Sequence, residues 1–144
     1  FGISSIQSKD QKIFLSMLNL RAGQKAMSLS TFSSSASYFA TGIKLLNRED
    51  WEHNYDLCLH LHNYYADAEY CNGKFHEVER VIEVVLAEAK SGSDKYRANF
   101  TLAKMLAAQN KIHEAMEIGY KVVFDMGQHL PSGLVDKSSL PEHI

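Results

Sequence analysis

Three short phrases in this chain share one pattern: Ser30-Thr31-Phe32, Gly73-Lys74-Phe75 and Asn110-Lys111-Ile112. Each opens on a small or turn-prone residue, closes on a large apolar one, and leads into a stretch with helical spacing. Nine residues before each large residue stands a small one: Gly23, Ala66 and Ala103. Self-similarity at periods of ~20–50 residues marks stacked repeats, in which each unit buries its apolar face on a neighbour. The question then shifts from what is catalysed to what is held.

Laid over one another, the stretches after the three phrases keep register. At offsets 3, 7, 10, 11 and 14 from Phe32 stand Ser35, Phe39, Gly42, Ile43 and Leu46. From Phe75 the same offsets give Val78, Ile82, Val85, Leu86 and Ala89, and from Ile112 they give Ala115, Gly119, Val122, Val123 and Met126. These positions share one face of a 3.6-residue helix. Intervening Glu77, Glu79, Arg80, Glu83, Lys111 and Glu114 suit the solvated side.

Before each phrase a first helix is expected. The earliest starts at Asp10, with Ile13, Leu15, Leu18, Ala22, Ala26 and Leu29 near one stripe. Gly23 inside it weakens the helix by ~1 kcal/mol against Ala, which points to close approach of a neighbour. The others run from about Trp51 to Tyr70, with Asp50 as cap, and from about Asp94 to Gln109, with Ser93 as cap. Gly73 and Asn110 sit where a helix ends and the chain reverses. The expected organisation is a leading loop over 1–9, a helical repeat domain over 10–127, and a tail or linker over 128–144. The hairpins fall at 10–47, 50–90 and 93–127. Phrase spacings of 43 and 37 residues exceed the repeat of about 34 residues typical of tetratricopeptide hairpins. Asn47-Arg48-Glu49-Asp50 accounts for part of the excess.

Composition removes several classes. A net charge of −2 with scattered Lys and Arg implies neither nucleic acid nor an anionic membrane as partner. No run of ~18 apolar residues exists to span a bilayer. The cysteines, Cys58 and Cys71, form no Cys-x-x-Cys pair and suit structural thiols of an intracellular, cytoplasmic protein.

A small residue in a first helix, a tight turn, a large apolar residue and a small one three positions on resemble the tetratricopeptide repeat. A more specific resemblance covers roughly Leu18 to Leu130. Leu18-Asn19-Leu20-Arg21-Ala22-Gly23-Gln24-Lys25-Ala26, Tyr38-Phe39-Ala40-Thr41-Gly42-Ile43-Lys44-Leu45-Leu46, Trp51-Glu52-His53-Asn54-Tyr55-Asp56-Leu57 and Ala68-Glu69-Tyr70-Cys71-Asn72-Gly73-Lys74-Phe75 look like the helical repeat region of large signalling ATPases of the AAA/NACHT type and multidomain sensor kinases. The resemblance implies an all-α, right-handed superhelix of about three antiparallel helix hairpins. It transfers no catalysis, because the chain has no Gly-x-x-x-x-Gly-Lys-Ser/Thr loop and no kinase catalytic-loop pattern. The segment is expected to be a non-catalytic protein–protein interaction and coupling module of a larger signalling protein. The alternative is a structural or assembly subunit that packs through helix faces without a discrete peptide ligand.

In the repeat family, first-helix positions around the small residue reach a concave groove. Here they are Met17, Leu20, Gln24 and Met27; His60, Asn63, Asp67 and Tyr70; Arg97, Phe100, Lys104 and Ala107. The candidate partner groove is therefore Gln24, His60, Asn63, Asp67, Tyr70, Arg97, Phe100 and Lys104, facing a protein, a peptide or a neighbouring domain of the same chain. No catalytic residue, cofactor or metal is expected. His60 and His62 stand two apart and diverge on a helix, whereas paired ligands prefer a spacing near four. His76 and His113 are equivalent positions of the repeat. Asn99-Phe100-Thr101 matches a glycosylation sequon by chance, mid-helix.

Overall fold

A computed structural model describes residues 8–129 of the chain. Among the described residues there are seven helices and no strand: α1 (Lys9–Ser28), α2 (Phe32–Lys44), α3 (Asp50–His53), α4 (Tyr55–Cys71), α5 (Phe75–Glu88), α6 (Gly92–Ala108) and α7 (Ile112–His129). They fall into two compact units, divided between Lys90 and Ser91. In the first, α1 packs on α2, α2 on α4, and α4 on α5; in the second, α6 packs on α7. The tail expected over 128–144 begins inside α7. The rest of it, like most of the leading loop over 1–9, lies outside the described residues.

The three phrases fold into one turn, repeated. Ser30, Gly73 and Asn110 all adopt positive φ, at 60°, 74° and 64°. Behind each, the same pair of backbone hydrogen bonds closes the helix end. The N–H of Ser30 donates to Met27 O (2.9 Å), that of Gly73 to Tyr70 O (3.0 Å) and that of Asn110 to Ala107 O (3.0 Å). One residue on, Thr31 N–H reaches Ala26 O (2.9 Å), Lys74 N–H reaches Glu69 O (2.9 Å) and Lys111 N–H reaches Leu106 O (2.8 Å). This is the Schellman arrangement, which satisfies carbonyls the helix end leaves open and requires a left-handed residue. The carbonyls of Thr31, Lys74 and Lys111 then accept the N–H of Ser35, Val78 and Ala115, starting the next helix.

The cap ahead of α1 is a capping box: Ser8 Oγ accepts the Gln11 N–H while Gln11 Oε1 accepts that of Ser8. Ahead of α6 the capping residue is Ser91, whose hydroxyl accepts the Asp94 N–H, rather than Ser93. Asp50 caps no long helix. It stands inside the short α3, and the non-helical backbone of Asn54 (φ −136°, ψ 51°) separates α3 from α4.

Packing in the first unit rests on small residues meeting large ones. The buried face of α1 is Ser16, Gly23 and Ala26; of the expected stripe Ala26 is buried, Ile13, Leu15 and Ala22 are half-buried, and Leu18 and Leu29 are exposed. The reason is close approach. Phe39 of α2, fully buried, fills the space beside Gly23, and the Ser16 hydroxyl donates to Gly42 O at 2.9 Å. Phe39 also stacks on Tyr64 of α4, centroids 5.6 Å apart. On α5 the expected face is buried at Val78, Ile82 and Val85, joined by Val81.

Asp50 is the polar pin of this unit. At 1% exposure it accepts from Lys9 Nζ, from the Asn47 N–H (2.8 Å) and from Asn54 Nδ2 (3.0 Å). Burial pushes its pKa up, but the hydrogen bonds from Lys9, Asn47 and Asn54 outweigh that and leave it lowered. In the second unit, Ala98, Asn99, Thr101 and Met105 of α6 are buried. Burial of Asn99 closes the sequon to a glycan.

Candidate functional site

A groove of about 630 Å³ opens between α1 and the corner formed by α3 and α4. Ile13, Met17, Leu20, Arg21 and Gln24 line it from α1; Glu52, His53, Tyr55, Asp56, Leu57 and His60 face them, with Asn54 at the corner. Residues 13, 17, 20, 21 and 24 follow the three- and four-residue steps of one helix face, which is why α1 offers them together. Apolar Ile13, Met17, Leu20 and Leu57 alternate with charged Arg21, Glu52 and Asp56. Its walls thus offer contacts of both signs beside apolar side chains. Pockets of this size, with a few convergent polar groups, hold ligands or side chains.

Two of the sequence-predicted site residues, Gln24 and His60, line this groove, as do Met17 and Leu20 of the same expected face. Others lie elsewhere. Asn63 is only 5% exposed, and its Oδ1 has no hydrogen-bond partner among the described residues. Asp67 is half-buried, and the half-buried ring of Tyr70 stacks on Phe75, 6.0 Å away. Arg97, Phe100 and Lys104 belong to the second unit, where the Lys104 ammonium sits 5.1 Å over the exposed ring of Phe100.

Sequence spacing missed Arg21, Tyr55, Asp56 and Leu57. The offset rule treats the second first-helix as unbroken, whereas the break at Asn54 turns the start of α4 into a groove wall. The signal available was the extra Asn47-Arg48-Glu49-Asp50.

A second hollow, of about 360 Å³, is lined by Ile43, Leu46, Trp51, Cys58, His62 and Glu88 among others. Trp51 packs on the His62 ring, centroids 4.9 Å apart. His62 Nδ1 lies 2.7 Å from Cys58 O, so that nitrogen carries the proton. Burial lowers the His62 pKa, and burial raises that of the Cys58 thiol to about 12. Cys58 is therefore a thiol packed in the wall rather than a reactive thiolate. Among the described residues no group of three or more His, Cys, Asp or Glu is placed to hold a metal ion. None of the described helices is long and apolar enough to cross a membrane.

Comparison with known proteins adds one relative. The chain is 25% identical over 143 residues to hybrid signal transduction histidine kinase G of Dictyostelium discoideum. That alignment covers 93% of this chain and 4% of the relative, so the chain corresponds to a small part of a far longer protein. No family model matches the chain, and no solved structure matches it.

Proposed function

We propose that this chain is a non-catalytic protein–protein interaction and coupling module, a helical-repeat segment of a larger signalling protein. In this reading the helix pairs α1/α2, α4/α5 and α6/α7 are tetratricopeptide-like hairpins continuing one right-handed superhelix. The catalytic work of the parent would lie outside these residues.

The observation that carries the reading is the groove between α1 and α4. Rigid helices display it, and its apolar side chains with charges of both signs suit a peptide segment from a partner or from a neighbouring domain. The likeness to a stretch of a signalling kinase supports the setting, and the threefold turn supports the repeat.

Photo-crosslinking tests the assignment. A crosslinker placed at Gln24 in the full-length parent is expected to yield adducts to a protein segment, whereas one at Glu83, on the exposed side of α5, yields none. Equal labelling from both positions would remove the groove from the account.

A further inference from the structure

A third hollow, of about 280 Å³, lies between α2 and the C-terminal half of α4. Ser33, Ala36, Ser37 and Ala40 line it from α2. Tyr65, Glu69 and Asn72 face them from α4, with Lys74 beyond in the turn. Each set follows the three- and four-residue steps of one helix face. The space exists because the α2 row is small.

The repeated turn asks for neither wall. At the positions of Ser33, Ala36, Ser37 and Ala40, α5 carries His76, Glu79, Arg80 and Glu83, and α7 carries His113, Met116, Glu117 and Tyr120. At the position of Glu69, α1 has Ala26 and α6 has Leu106. All three residues serve the turn in one way, through a backbone carbonyl that accepts the N–H five residues on. A buried carboxylate carries a desolvation cost that Ala and Leu avoid, so closing the turn does not account for Glu69.

The polar groups of the α4 wall have spent their protons. Glu69 is 5% exposed. Asn72 Nδ2 donates to Glu69 Oε1 (2.9 Å) and to Phe32 O (3.1 Å), which commits both amide protons and leaves Asn72 Oδ1 as an acceptor. Tyr65 directs its hydroxyl proton to Glu77 Oε2 at 2.7 Å. Among the described residues no cation pairs with Glu69. What this wall lacks is a positively charged donor.

We propose that the hollow binds an alkylammonium group, its head on Glu69 and its methylene stem along Ala36 and Ala40. A stem of this kind buries on apolar surface while its charged end finds a partner. The exposed hydroxyls of Ser33 and Ser37 rotate to accept the remaining N–H groups. Ammonium fits better than guanidinium, because Asn72 already holds Glu69 Oε1 and a guanidinium fork needs both carboxylate oxygens. Lys74 is exposed and acts as a competing charge beside the site. The same head group belongs to free diamines and to the lysine side chain of a protein segment.

Nuclear magnetic resonance titration of the 144-residue chain with putrescine and with Nα-acetyl-lysine amide tests the site and separates the two sources. Saturable shifts of the Asn72 side-chain amide and the Ser37 N–H are expected with at least one amine. Putrescine alone would assign a free diamine, and the lysine amide a protein side chain. Glu69→Gln keeps an acceptor for Asn72 but removes the charge, so binding should weaken tenfold or more while thermal stability holds. Ser37→Leu fills the hollow and should abolish binding, whereas Lys74→Ala should tighten it. No saturable shift with either amine at tens of millimolar would overturn the proposal. So would binding indifferent to Glu69→Gln, or butyrate binding more tightly than both amines.

Discussion

The ring of Phe39 occupies the space a side chain on Gly23 would need: a Cβ built there stands 2.3 Å from Cε1 of Phe39. Phe39 is fully buried and held from the far side by Tyr64, so it has nowhere to retreat. Gly23→Ala should therefore destabilise the first unit by about 1–3 kcal/mol through overpacking, although Ala is the better helix former by ~1 kcal/mol. Gly119→Ala, with open space around it, should stabilise by ~1 kcal/mol. Urea denaturation of the two variants measures the opposite signs.

The three left-handed turn residues make a graded series. Ser30 holds φ 60° against the steric preference of an L-residue, while Gly73 holds φ 74° without strain. Ser30→Gly should raise stability by up to about 1 kcal/mol, and Gly73→Ala should lower it by about 1 kcal/mol. An added Cβ at Gly73 meets no neighbour, so that loss reports backbone strain alone. Thermal denaturation of both variants is the check.

Asp50→Ala leaves the Asn47 N–H and the Asn54 amide without their acceptor. Loss of a buried acceptor costs about 1–3 kcal/mol. Lys9 stays partly solvated and adds little. The α3 corner should loosen first, visible as faster hydrogen exchange at Asn47 and Asn54 than in the unsubstituted chain.

Acid should weaken the α4–α5 pair through Glu77. Its carboxylate accepts from Arg80 Nε and Nη2 (2.8 and 2.9 Å) and from the Tyr65 hydroxyl (2.7 Å). The Arg80 hydrogen bonds are the largest influence; with that from Tyr65 they outweigh burial and hold its pKa down at about 2, from an ordinary 4.5. A carboxylate whose pKa is depressed on folding contributes stability above its unfolded value and loses it as pH falls toward the folded one. Stability should thus decline between pH 4.5 and about 2, and Glu77→Gln should flatten that decline. Denaturation midpoints measured across this window test it.

Much of the local fold was legible because it depends on local chemistry. Turn residues that tolerate positive φ and the spacing of Val78, Ile82 and Val85 need only short-range rules. The buried face of α1 was legible at Gly23 and Ala26 but not at Ser16, which becomes core only because Gly42 of another helix arrives to accept its hydroxyl. Glu77 was expected on the solvated side, and only the fold brings Tyr65 to it. The groove was half legible: Gln24 and His60 follow from the positions that the resemblance to the repeat family implies, whereas Tyr55, Asp56 and Leu57 join them through the break at Asn54.

Partner recovery by the full-length parent tests the central claim most directly. Met17→Asp, Arg21→Glu and His60→Glu together change three exposed groove residues and should leave circular dichroism unchanged. Recovery of the bound protein, quantified by mass spectrometry, should fall tenfold or more, while Glu79→Lys with Glu83→Lys on α5 has no effect. Undiminished recovery by the groove variant would contradict the account.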